Sequence, residues 1–115
     1  MDDKLLSLIN LERLKAGVAP LIYRFDIQDA SNLRAKEASV KWSHDRPNGK
    51  PYWSVDDKIW GENLAKNFIT PQGVVNGWIN SELHKKNLLN PEYKGACIGS
   101  FRQGNNIFIS LEFTK

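Results

Sequence analysis

Asn105-Asn106-Ile107-Phe108-Ile109-Ser110-Leu111-Glu112-Phe113 is the stretch on which the fold turns. Ile107, Ile109, Leu111 and Phe113 alternate with Phe108, Ser110 and Glu112, a period of two. That period belongs to a β-strand with one face in a core. Gly104-Asn105 is a turn signal just before it, and Gly95 to Arg102 supplies an antiparallel partner, so the chain ends in a hairpin. Working upstream, the period changes. Leu5, Leu8, Ile9, Leu11 and Leu14 fall at helical spacing, which predicts a helix over residues 3–16 with a broad apolar stripe. Gly17 and Pro20 then stop it. Asn10 and Arg13 share a face of that helix and are expected to be solvated polar positions. A second helix is predicted from near Asp26 to about Val40, with Ile27, Ala30, Leu33 (or Arg34), Glu37 and Ala38 in helical period. Helices first and strands last make an α+β chain, with helices packed on a sheet.

The middle is less regular. Pro47, Asn48, Gly49 and Pro51 cluster as a turn region within residues 43–60, which also carry His44, Arg46, Tyr52, Trp53 and Trp60. A loop so rich in rings is expected to pack, because aromatic side chains bury large areas. Thr70-Pro71 reads as an N-cap followed by proline in the first helical position, with Val74, Val75 and Trp78 behind it. Ser81 is a second candidate cap, opening the short helix SELHKKNLL.

The composition excludes several classes. The 115 residues allow one compact core, so residues 1–115 are expected to form one domain. A single cysteine, Cys97, permits no internal disulfide and no four-cysteine zinc site. Within GACIG it reads as a buried core thiol. A net charge of +3 without any run of five like charges argues against a nucleic-acid partner. No apolar stretch approaches the ~18 residues of a membrane span. The opening MDDKLLSLIN has no basic n-region, which fits a soluble chain or the mature part of an exported one.

Only two histidines, His44 and His84, are present, 40 residues apart, so no local metal-binding helix motif exists. On spacing alone each reads as a surface or hydrogen-bonded histidine. Glu62, in Gly61-Glu62-Asn63-Leu64-Ala65, is placed either to hold an imidazole proton or to sit at a helix start. Ser81 lies three residues before His84 and is within its reach on a helix, whereas Glu82, two residues before, is not. Ser81, His84 and a carboxylate nominally make a hydrolytic triad. The GxSxG elbow is absent, however, and helix capping is the expected role of Ser81.

Taken in order, LINLERLKAG at 8–17, Arg34-Ala35-Lys36-Glu37, Ser43-His44-Asp45-Arg46-Pro47-Asn48-Gly49, GENLA at 61–65, Trp78 to Ser81 with His84 and Asn87, and Ile98-Gly99 resemble the bacterial branch of the CAP superfamily. This superfamily includes the cysteine-rich secretory proteins, antigen 5 and pathogenesis-related proteins. The resemblance covers nearly the whole chain. It implies a three-layer α-β-α sandwich with a central antiparallel sheet, a secreted or cell-surface location, and a cleft of two histidines and two acids that in some members takes a divalent cation such as zinc. His44, Glu62, His84 and Asn87 match the family's words. Ser81 stands where other members carry the second acid, and Glu82 is only its neighbour. The hairpin also lacks the glutamine usual before its last hydrophobic pair.

The resemblance reverses the bland reading of the histidines. It implies a non-enzymatic binding module, with a lipid, sterol, peptide or host-protein ligand, and a weak zinc-type cation site at His44 and His84. The alternative is a zinc-dependent hydrolase or protease using His44, His84 and Glu62. No catalytic residue is assigned, and a monomer is expected.

Overall fold

In the computed structural model, residues 2–68 and 70–115 are described. The C-terminal alternation folds as the pattern requires. Strands β3 (Gly95–Gln103) and β4 (Asn106–Thr114) form an antiparallel hairpin with Ile98 opposite Leu111 and Ser100 opposite Ile109. Gly104 makes the turn at φ 60°, a left-handed conformation that glycine adopts without steric cost. The other side of β4 pairs antiparallel with β2 (Ile59–Lys66), which sets Glu62 opposite Glu112 and Leu64 opposite Ser110. A two-residue strand β1 (Ile22–Tyr23) runs parallel to β3, and the order across the sheet is β1-β3-β4-β2.

GENLA is therefore strand, and the helix-start reading of Glu62 is corrected. Residues 61–65 are buried on both faces, and two of them are the polar Glu62 and Asn63. A strand covered on both sides and carrying polar residues inside has no apolar alternation to read.

The two faces of β4 build the two sides of the sandwich. Ile109, Leu111 and Phe113 pack with Leu5 and Ile9 of α1 (Asp2–Lys15), Val74, Val75 and Trp78 of α3 (Pro71–Ile79) and Leu88 of α4 (Glu82–Leu88). Each such buried side chain contributes about 1.5–3 kcal/mol from area removed from water. The opposite face carries α2 (Gln28–Val40), with Ala38 against Leu64 and Phe108. Helix and sheet approach closely there. A Cβ on Gly99 would collide with the Ser31 backbone, and the Ser110 hydroxyl donates to the Ser31 carbonyl at 2.6 Å.

Two sequence readings on the helices are corrected. Leu11 and Leu14 are exposed, while Arg13 is buried. The Arg13 guanidinium donates to the carbonyls of Ala19 (2.7 Å), Leu88 (2.6 Å), Asn90 (3.2 Å) and Tyr93 (3.0 Å). Burial pulls its pKa down. Asn10 clamps both backbone groups of Leu21, donating to the carbonyl at 3.1 Å and accepting from the N–H at 2.8 Å. These residues are pins between segments, not solvated positions. In α2 the core-facing position goes to Arg34 and not to Leu33, which is 39% exposed.

The Thr70 cap forms as expected, its hydroxyl accepting from the Gly73 N–H at 3.1 Å. Ser81 occupies the cap position of α4 but makes no capping bond through its side chain. Its hydroxyl is engaged elsewhere.

Candidate functional site

The site begins with a buried charge. Arg34 projects from α2 onto β2 and grips Glu62 with two hydrogen bonds, Nε to Oε2 at 2.8 Å and Nη2 to Oε1 at 2.9 Å. Both side chains are fully buried. The same guanidinium donates to Glu37 Oε1 and to the Ser43 carbonyl, each at 2.9 Å. The second bond fixes the backbone just before His44. Arg46 then closes on Glu37 with bonds of 2.9 to 3.0 Å. Charges alternate along this chain, which is how a buried ion network offsets its desolvation cost.

Glu62 orients His44. The Glu62 Oε1 oxygen lies 2.9 Å from His44 Nδ1, and because an ionised carboxylate only accepts, the proton is assigned to Nδ1. Burial works to raise the Glu62 pKa, but the hydrogen bonds from His44 and Arg34 prevail and hold it below the usual carboxylate range. Glu112, directly across the strand pair, behaves oppositely. Complete burial, and then the Glu62 charge, push it well above that range. Its two oxygens have no hydrogen-bond partner among the described residues, and the raised pKa favours its neutral form. Two carboxyls with oppositely shifted pKa values thus lie on neighbouring strands beside a single arginine.

His84 arrives from the other side of the sheet. It lies on α4, where its Nδ1 is 2.9 Å from the Ser81 hydroxyl. The expected capping role of Ser81 is thereby replaced by a bond to the imidazole. Burial, then the nearness of His44, lower the His84 pKa. Helix α4 is fastened to the edge strand by amides: Asn63 donates to the His84 carbonyl at 3.1 Å, and Asn87 donates to the Glu62 carbonyl at 3.2 Å and to Asn63 Oδ1 at 2.9 Å. The outward carbonyls of β2 are capped in turn. Trp60 is taken by Tyr93 Oη at 3.1 Å, Glu62 by Asn87, and Leu64 by Trp78 Nε1 at 3.0 Å. Side chains so close an edge that would otherwise invite another strand.

His44 and His84 line one hollow of about 220 Å³, with Trp42, Ser43 and Leu64. Trp42, Leu64 and His84 also wall an adjoining hollow with Phe68, Trp78 and Ser81. Each imidazole spends Nδ1 on its support, which leaves Nε2 as the atom for a ligand. Such Nδ1 partners fix ring orientation around metals. Glu62 has both oxygens committed to Arg34 and His44. Among the described residues no group of three or more His, Cys, Asp or Glu side chains is arranged to hold a metal. The two imidazole Nε2 atoms are thus the nitrogen donors that this hollow offers a ligand.

Other expected site residues lie further off. Glu82 is exposed and lines a separate hollow with Lys85, Lys86 and Asn87. Asn87 acts through the β2 backbone. Tyr52, Trp53 and Trp60 line a further hollow, joined to the histidines by the Tyr52 ring, 5.9 Å from that of His44. Sequence reasoning missed Arg34, Trp42 and Glu112 as site residues. An arginine in an apolar helical phase and a glutamate inside an alternating strand were the available signals.

The model of the cysteine-rich secretory protein family, CAP, matches residues 6–113. Among curated proteins, the Bacillus subtilis (strain 168) uncharacterized protein YkwD is 35% identical over 114 residues, covering 90% of this chain and 44% of its own length. The membrane protein YlbC of the same organism is 29% identical, covering 89% of this chain and 32% of its own. The chain thus spans less than half the length of these relatives. In fold it is similar to an extracellular SCP-domain protein from Bacillus anthracis, with a TM-score of 0.86 at 24% identity over 99% of this chain and 40% of that one. It is also similar to an outer surface protein of Borrelia burgdorferi, with a TM-score of 0.73 at 22% identity over 96% of this chain and 89% of that one. The four-stranded sheet between helical layers and the family match agree: the chain belongs to the cysteine-rich secretory protein (CAP) family.

Proposed function

We propose that this CAP domain is a non-enzymatic binding module of the cell exterior, and that its two-histidine hollow admits a divalent cation of the zinc type. The observation that carries the reading is the shared hollow of His44 and His84, with each Nδ1 already committed. The ring orientations are fixed before a cation arrives, so little ordering cost remains. Two nitrogen ligands make a weak, exchangeable site, since catalytic zinc normally has three protein ligands. The extracellular and outer-surface descriptions of the Bacillus anthracis and Borrelia proteins support the location. Among the described residues no helix is long and apolar enough to cross a membrane. The partner chemistry is a lipid, sterol, peptide or protein face set against the hollow.

The same geometry argues against Glu62 as a general base. A base must reach the proton it removes, directly or through one water. Glu62 is buried and its oxygens are held by Arg34 and His44.

Zinc titration by calorimetry tests the cation site. Binding is expected to fall at least about tenfold in both His44→Ala and His84→Ala, the size of losing one ligand or its orienting partner. It should also weaken in acid, because a ligating imidazole must be neutral and His84 takes up its proton below the ordinary histidine value. Unchanged binding in both variants removes the shared site. Cleavage of a peptide library by the purified protein with zinc, abolished in Glu62→Gln, would replace the binding role by hydrolysis.

A further inference from the structure

The hollow lined by Tyr52 and the two tryptophans has its own chemistry. It measures about 390 Å³ and is lined by Tyr52, Trp53, Asp57, Ile59 and Trp60, within the range of small-molecule sites. Tyr52 and Trp53 meet at 86° with ring centroids 5.1 Å apart, forming two perpendicular walls. Trp60, from β2, adds a third ring. Trp53 and Trp60 are 54% and 55% exposed, so both rings are reachable from solvent. Asp57 is the charged residue of the lining, and the nearby Lys58 ammonium is taken by Asp56 at 3.2 Å.

The molecule already shows what a face of Trp60 accepts. The Lys115 ammonium lies over that ring, 4.0 Å from its centroid. Tryptophan has the strongest ring quadrupole for cations, and aromatic walls around one carboxylate favour weakly hydrated cations. The walls offer few acceptors. The Tyr52 hydroxyl is turned toward the Trp60 carbonyl at 3.5 Å. A primary ammonium entering fully would leave N–H donors unpaired, which costs free energy. A methylated ammonium has none to satisfy. We infer that this aromatic corner binds a quaternary ammonium group, of the choline type, with its charge against Trp53, Trp60 and Asp57. The site is distinct from the histidine hollow and does not depend on a bound cation there.

The test is calorimetric titration of the protein with choline chloride, with sodium chloride at equal ionic strength as blank. The comparison ligand is choline's neutral isostere, in which a tert-butyl group replaces trimethylammonium. Saturable choline binding is expected, with the isostere and the Trp60→Ala and Trp53→Ala variants each weaker by about tenfold or more, the scale of a desolvated cation–π contact. Both tryptophans are half exposed, and an unchanged thermal midpoint verifies that the variants fold. Lys115→Gln is expected to tighten binding, because it removes a competing or repelling positive charge. Co-sedimentation with phosphatidylcholine vesicles, on top of choline binding, assigns the group to a lipid headgroup; choline binding without it assigns a free ligand. Equal affinity for the neutral isostere, choline binding unaffected by Trp60→Ala, or no saturable choline binding overturns the inference.

Discussion

His44 and His84 line one hollow but are held by opposite means. His44 stands on a carboxylate that is itself gripped by Arg34, and a second carboxyl, Glu112, is buried on the neighbouring strand. His84 rests on a neutral hydroxyl from its own short helix. The first support is charged, buried and assembled from α2, β2 and β4. The second is local and spans three residues. A charged support holds its imidazole by a charge-assisted bond, whereas a neutral hydroxyl orients it more weakly. One half of the hollow is thus tied to the stability of the fold, and the other can be altered almost independently.

Arg34→Met breaks the comparison most severely. The guanidinium is fully buried and satisfies Glu62, Glu37 and the Ser43 carbonyl. Its loss leaves Glu62 beside Glu112 with no cation, and removing one partner of a buried pair costs about 3–5 kcal/mol. Urea denaturation at pH 7 measures it. A loss below about 1 kcal/mol would show that the network is solvated and that the His44 support is no stiffer than that of His84.

The fold was legible where the signal is apolar or local. The alternation from Ile107 to Phe113 gives β4 its face toward α1 and α3, and Thr70-Pro71 marks the start of α3. It was illegible where polar groups are inside. Arg13 and Arg34 fill buried helix positions although their charges read as solvent-facing, because those charges are satisfied by carbonyls and carboxylates distant in sequence. The site divides the same way. His44, Glu62 and His84 stood out through their order in the family's words, and the Ser81–His84 contact through helical spacing. Glu112 did not, because its partner lies 50 residues away across a strand that carries no alternating pattern.

Glu112→Gln sharpens the comparison through pH. The Glu112 pKa is raised in the fold by burial and by Glu62, so its neutral form is the one that stabilises. That contribution is complete below the ordinary carboxyl value of ~4.3 and is lost as pH rises through the folded value, since the unfolded chain has then already released its proton. Glutamine keeps the shape and cannot ionise. Relative to the parent, Glu112→Gln should gain stability from about pH 4.5 upward, by at most about 1.4 kcal/mol per pH unit, and then level off. Thermal midpoints between pH 4 and 9 measure the divergence; parallel curves would mean that Glu112 ionises freely. Glu62 runs the other way. Its lowered pKa contributes stability above the ordinary carboxyl value that disappears as pH falls through the folded one.

Ser81→Ala has the smallest expected effect and isolates the second support. Ser81 makes no capping bond, so the helix start loses nothing from its side chain. What is removed is one hydrogen bond to His84, about 1 kcal/mol or less in stability. The ring is then free to turn, and zinc affinity should fall several-fold, while Ser81→Thr, which keeps the hydroxyl, restores it. Glu62→Gln, acting on the charged support, should cost more, about 10–100-fold. The pH profile separates the two halves again. Burial and His44 lower the His84 pKa, so the neutral ring favours folding above the ordinary value of ~6.5, and that contribution is lost as pH falls through the folded value. A neutral ring is also the form that ligates. Zinc binding by Ser81→Ala should therefore be weaker at every pH above 6 but keep the same shape, because burial and not the hydroxyl sets the titration of His84. A profile displaced along the pH axis would show instead that Ser81 controls the charge of His84, and that the two histidines are supported more alike than their partners suggest.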